Sequence, residues 1–231
     1  MKGLFIPGIT TELFKGMCTE SVKALMAEGI TYDVDISGIE GRKLVEIKNL
    51  APGTIVEFGG TQWEILDNHF PTALLSEGVF CLAKDVLFKK AFDEKNCNNW
   101  RISTFRDYLN GDFKNNIAAK ICENMLLPFD RDLTSDDGLK DYGKCIDYVS
   151  LISSNEYRKY RHYINGKSDW WLTLTGWSTL RSSFSHYVQF VNTSGSLGVG
   201  IALKEHAAVV PVLCVYPTLK IRVVSDFYKS E

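Results

Sequence analysis

The sequence predicts an α+β fold with an N-terminal helical extension, from three observations. Short apolar runs broken by glycine and proline fill the stretch from Pro52 to Leu82, as expected of strands and tight turns. Residues 103–122 instead repeat apolar positions at helical spacing. From Asp169 onward strand-like runs return, separated by Ser, Thr and Gly. Hairpins, then helices, then more hairpins indicate segregated α and β structure rather than alternating βαβ units.

In the first fifty residues Thr10 or Thr11 can cap a helix. Phe14, Met17, Cys18, Val22, Leu25 and Met26 form its apolar stripe, and Gly29 is its stop. So short a helix needs something to dock on, its own domain or a second copy. The chain therefore divides into an extension of helix and strand over residues 1–50 and a main domain over residues 51–231. Within the domain, Ile55, Val56 and Phe58 run into Gly59-Gly60 and are followed by Trp63, Ile65 and Leu66, a hairpin with a glycine turn. Thr72–Leu75 and Val79–Leu82 are further apolar segments of open type. Ser103 is a candidate N-cap for a helix carrying Phe105, Tyr108 and Leu109, which Asn110-Gly111 breaks before a second helix with Phe113, Ile117 and Ile121. Residues 128–142 read as a polar loop, Tyr148–Ile152 as a strand, and Ser154 as the cap of a short helix through Tyr160. Trp170 to Leu172, Tyr187–Val191, Leu197–Leu203, Val209–Val215 and Leu219–Val224 complete the strands.

Composition narrows the function classes. The 231 residues are 45% hydrophobic and 23% charged, enough apolar material for a core. A net charge of -2 gives no clustered cationic field, so nucleic acid is not an expected partner. No run approaches a membrane span, and the opening Met1 to Pro7 is too short for a signal peptide, so the expectation is synthesis in a reducing cytoplasm. The six cysteines are scattered without a Cys-x-x-Cys pair, as buried free thiols are.

Motifs for catalysis are missing from the sequence. Gly176-Trp177-Ser178 lacks the second glycine of a nucleophile elbow, and the four histidines have no zinc spacing. Asp130, Asp132, Asp136 and Asp137, followed by Gly138, are a candidate oxygen cluster for calcium, but their spacing differs from the EF-hand loop and suits solvated turns. No catalytic residue, metal ligand or cofactor is assigned.

One series of residues carries a family likeness. Phe58-Gly59-Gly60-x-x-Trp63-x-Ile65-Leu66-Asp67 is followed by Asn98-Asn99-Trp100-x-x-Ser103-x-x-Arg106-x-Tyr108-Leu109-Asn110, then Asp137-Gly138, Val149–Ser153, Glu156-Tyr157 and Trp170-Trp171-Leu172. Over residues 52–215 the series resembles an uncharacterised domain family of gut Firmicutes and their prophages, a branch of the C-type-lectin-like fold in the group related to formylglycine-generating enzymes. The opening residues resemble the leader of short phage-borne Firmicutes proteins. Two departures stand out. Thr173 replaces the arginine usual after Trp-Trp-Leu, and Ala208–Leu213 lacks the arginine of the final motif.

The resemblance implies a non-enzymatic ligand-binding or display protein of phage or prophage origin, incorporated into a phage particle. It also implies a variable C-terminal surface of the kind that diversity-generating retroelements rewrite. The ligand-contact candidates are Thr173, Thr175, Trp177, Ser178, Leu180, Ser182, Phe184, His186 and Gln189, with Trp177 the foremost. The expected partner is a protein or carbohydrate on a cell surface. Two other readings stay open: an enzyme of the formylglycine-generating-like group, using a reactive cysteine or a metal, and an assembly protein that forms a homo-oligomer through its N-terminal helix.

Overall fold

The computed structural model describes residues 44–121 and 125–225. Its strands in chain order are β1 (Val45–Glu46), β2 (Ile55–Phe58), β3 (Thr61–Phe70), β4 (Gly78–Ala83), β5 (Phe88–Lys89), β6 (Leu126–Leu127), β7 (Phe129–Asp132), β8 (Lys144–Asp147), β9 (Val149–Leu151), β10 (Trp171–Gly176), β11 (Tyr187–Val191), β12 (Leu197–Ile201), β13 (Ala208–Val209), β14 (Pro211–Val215) and β15 (Lys220–Ser225). Three short helices interrupt them: α1 (Thr104–Tyr108), α2 (Lys114–Ile121) and α3 (Ser154–Tyr160).

The main sheet runs β1-β15-β2-β3-β4-β14-β6, with β9 also paired to β14. Its centre is β4 and β14, in which every residue is buried. The β2–β3 hairpin turns through Gly59 and Gly60, whose φ values of 62° and 75° suit glycine in a two-residue turn whose twist matches the strands. A side chain at Gly59 would begin 3.0 Å from Ile117, so the bare backbone also lets α2 pack on the hairpin. The strands close over an aromatic cluster in which Phe70 stacks on Phe80 at 4.1 Å and Phe129 meets both edge-on.

The second sheet runs β12-β11-β10-β13-β5, and β7 pairs with β8 as a separate hairpin. Between β10 and β11 the register shifts, from Leu172 opposite Phe190 to Gly176 opposite Val188. A bulge of this kind bends the strand and re-aims the residues beyond it.

The α+β expectation is corrected by these elements. Of the described residues 36% are strand and 18% helical, a β-rich fold and not an α+β one. Two physical causes are visible. The helices of residues 103–122 are short, because Gly111, at φ −96° and ψ −107°, breaks them apart. Residues 128–142, expected to be loop, supply β7, which pairs residue for residue with β8. Thr72–Leu75, expected to be apolar structure, is instead a turn with Leu74 exposed. The helix expected over residues 10–29 lies outside the described residues. Val45–Glu46 joins the sheet edge beside β15, and Ile47 enters the core.

Candidate functional site

The residues around Asn98 form a frame of hydrogen bonds that is buried at Trp100 and Ser103. The Asn99 side chain accepts from the Arg101 N–H at 3.1 Å, and the Ser103 hydroxyl accepts from the N–H groups of Phe105 and Arg106 at the start of α1. Trp100 Nε1 donates to Asp147 at 2.7 Å, and Arg106 Nε donates to the other oxygen of that carboxylate at 2.7 Å. Asn110 closes the frame on β9, donating to the Val149 carbonyl at 2.9 Å and accepting from the Tyr148 N–H at 2.8 Å.

Asn98 faces the other way, towards residues 177–187. Its Nδ2 donates to the carbonyls of Tyr187 at 2.7 Å and Ser178 at 2.9 Å, with Phe184 at the 3.5 Å limit. Its backbone N–H donates to Ser185, and its Oδ1 accepts from the Tyr142 hydroxyl at 2.7 Å. One buried side chain thus holds both ends of the loop between β10 and β11. Gly176 makes room for it, since a Cβ there would begin 2.9 Å from Asn98 Nδ2. Asp141 adds a second tie, accepting from the Thr179 hydroxyl at 2.6 Å and pairing with Arg181 at 2.7 Å.

The nine contact candidates separate into two groups. Trp177, Leu180 and Phe184 are 39%, 68% and 51% exposed, with Ser182 and His186 half-buried between them. Phe184 and His186 lie beside Tyr187, with ring centroids 6.1 and 4.2 Å away. Thr173, Thr175, Ser178 and Gln189 are instead buried, which corrects their assignment to the contact surface. Three of them dock α3 on the sheet. Thr175 Oγ1 accepts from the Ser154 N–H at 3.0 Å, the Ser154 hydroxyl donates to Gln189 at 3.1 Å, and the Thr173 hydroxyl donates to the Gln189 carbonyl at 2.9 Å. In the sequence these polar residues read as surface contacts, whereas here they satisfy one another inside. Arg181, Tyr187 and the Asn98 clamp were missed by the sequence reading.

The remaining chemistry is sparse. Among the described residues no group of three or more His, Cys, Asp and Glu side chains is placed to hold a metal. Asp132 accepts from Thr134 and Asp137 from Ser135, so these two order their own turns, while Asp136 pairs with Arg158 on α3. Burial pushes the thiols of Cys81 and Cys214 well up and that of Cys145 to about 11, unlike a reactive thiolate. Cys18 and Cys122 lie outside the described residues.

A separate cleft of about 370 Å³ opens beside α3, lined in part by Leu66, Asp67, His69, Tyr160 and Tyr163. Asp67 is committed there. Burial raises its carboxyl, but hydrogen bonds from the Tyr160 hydroxyl at 2.6 Å, the His69 N–H and Lys159 outweigh this and hold it below the usual range.

No described helix is long and apolar enough to cross a membrane. No family model, curated protein or solved structure matches the chain.

Proposed function

We propose that the chain is a non-enzymatic ligand-binding protein of phage or prophage origin, and that it grips a protein on a cell surface with residues 177–186. The observation that carries this reading is the clamped loop. Three large apolar side chains, Trp177, Leu180 and Phe184, are exposed on one loop whose ends hang from one buried asparagine. Exposed aromatic and aliphatic anchors on a preorganised element are what protein hot spots use, because little entropy is lost on binding. Ser182, His186 and Arg181 supply a polar rim. In this reading a retroelement rewrites the exposed positions only. Changes on such a surface cost within about ±0.5 kcal/mol, while the buried Thr173, Thr175, Ser178 and Gln189 belong to the fixed frame.

The test uses the fluorescently labelled full chain on a panel of Gram-positive gut bacteria, read by flow cytometry. Staining is expected on at least one strain, and shaving the cells with protease is expected to remove it. Trp177→Ala with Phe184→Ala should abolish staining while the circular dichroism and melting curve stay unchanged. Undiminished staining by a folded double variant overturns the placement. Staining that survives protease but is lost on periodate oxidation of the cells overturns the protein ligand in favour of a carbohydrate.

A further inference from the structure

Sheet edges expose unpaired backbone groups, and proteins blunt them with short strands, charges or proline. The main sheet ends in β1, β6 and β9 and one side of the second sheet in β5; β1, β5 and β6 are two residues long, and β9, of three, has the N–H and carbonyl of Val149 bonded to the Asn110 side chain. The β7–β8 hairpin carries Asp130, Asp132 and Lys144. The other edge of the second sheet is different. β12 spans five residues, Leu-Gly-Val-Gly-Ile, has no charge or proline, and pairs only with β11 among the described residues.

Hydrogen bonding fixes which groups face out. Asn192 N–H donates to Ser196, and Ala202 N–H donates to His186, so the even-numbered residues of this antiparallel ladder bond to β11. The N–H groups of Leu197, Val199 and Ile201 and the carbonyls of Leu197 and Val199 therefore point to the open edge. Val199 and Ile201 are 39% and 45% exposed. They share a sheet face with Tyr187, which is registered opposite Ile201 and accepts from the Trp177 N–H at 2.9 Å. Opposite them, Gly198 and Gly200 accommodate the Phe190 ring, 2.7 Å from where a Gly198 Cβ would stand. The glycines thus serve the inner packing and leave the edge narrow.

We propose that β12 pairs antiparallel with β12 of a second copy of this chain, about a two-fold axis at Val199. The strand is apolar and palindromic in character about that residue, so a copy is its own complement. Val199 meets Val199, Leu197 meets Ile201, and Gly198 meets Gly200. Val199 then exchanges both its N–H and its carbonyl with its copy, and the Ile201 N–H donates to the Leu197 carbonyl, because these are the hydrogen-bonded pairs of the new ladder. Beyond the strand the chain turns, at residues 193–195 and again from Ala202, so neither Lys204 nor Glu205 lies in the paired segment. The two sheets become one continuous sheet of ten strands.

The test is mass in solution by light scattering on the full chain, from about 1 μM to about 1 mM, the range over which a weak two-fold contact fills. The wild type is expected to reach twice 26.1 kDa. Val199→Lys sets two cations against each other on the axis and is expected to hold the protein at one chain mass with an unchanged melting curve. Mixing it with Val199→Glu restores the dimer. Val199→Cys is expected to cross-link on mild oxidation, since Cα atoms of a hydrogen-bonded pair lie about 5.5 Å apart, within disulfide reach. A wild type of single mass throughout, or a dimer that Val199→Lys leaves intact, overturns the proposal.

Discussion

Replacing Asn98 by alanine tests whether the loop is held as the structure indicates. The change removes two well-formed bonds, to Tyr187 at 2.7 Å and Ser178 at 2.9 Å, and one marginal bond to Phe184. It also strands the Tyr142 hydroxyl, which donates to Asn98 Oδ1. Net hydrogen bonds are worth about 0.5–1.5 kcal/mol each, and a buried group left unpaired costs about 1–3 kcal/mol. The sum is about 3 kcal/mol, part of it recovered if water reaches the carbonyls. Most of that loss falls on loop opening, because the bonds tie the loop and not the sheets. Trypsin reads the opening directly, since Arg181 lies mid-loop and its side chain is largely exposed. At about 1.4 kcal/mol per factor of ten, cleavage after Arg181 should quicken roughly 100-fold in the variant, followed by mass spectrometry of the fragments. Asn98→Asp should be at least as severe, since it turns the donor into an acceptor facing carbonyls. Equal cleavage rates in wild type and variant would refute the clamp.

Gly176→Ala should reproduce the Asn98→Ala cleavage pattern by displacing the same amide, and the double variant should be no worse than either alone. An additive double variant would separate the two residues. Ser103→Ala removes the cap of α1 and a bond to the Phe92 carbonyl, and should lower unfolding free energy in urea by about 1–2 kcal/mol; a change below about 0.5 kcal/mol would refute the cap. Lys167→Met leaves the Glu64 carboxylate buried without its 2.8 Å partner, at a cost of about 3–5 kcal/mol near pH 8. Burial already raises the Glu64 carboxyl above its usual value, opposed by Lys167, so removing the lysine raises it further. A raised folded-state value favours folding in acid and is lost as pH climbs through it, so the deficit should shrink from about pH 8 to about pH 5. Equal deficits at both would refute this. Replacing both partners by leucine and methionine should be neutral or stabilising by about 1–4 kcal/mol in the same urea titration.

Local chemistry explains which parts of the fold the sequence disclosed. The hairpin at Gly59-Gly60, the strand Tyr187–Val191 and most of the strand read as Leu197–Leu203, which ends at Ile201, were legible because alternation and turn residues act within a few positions. The cap at Ser103 was legible for the same reason, and the helix read as capped by Ser154 is capped one residue earlier, by Ser153, with Glu156 completing a capping box. The β7 strand was hidden because one of its two inward side chains is Arg131. That residue is buried as an ion pair with Glu156 at 2.6 Å, a partner 25 positions away that no local pattern announces. The candidate site was half legible. Trp177, Leu180 and Phe184 stood out by type, while Thr173, Thr175 and Gln189 read as surface contacts until Ser154 supplied their partner across the fold.

The clamp and the open edge bear on one another through geometry. A loop that hung from β11 alone would sample many shapes, and its three apolar groups would lose most of their binding energy to ordering. Asn98 removes that cost from one side of the loop, and the frame behind it, from Trp100 and Arg106 to Asp147, keeps Asn98 in place without touching any exposed position. The exposed side chains can therefore change type while the frame stays folded. β12 lies next to β11 on the far side from β10, so pairing along it would present two such loops on one continuous sheet. Two linked contacts can exceed either affinity by about 10²–10⁴ without any new interaction. On the proposed reading, a loop of ten residues with three anchors would gain from that multiplication in holding a cell-surface protein.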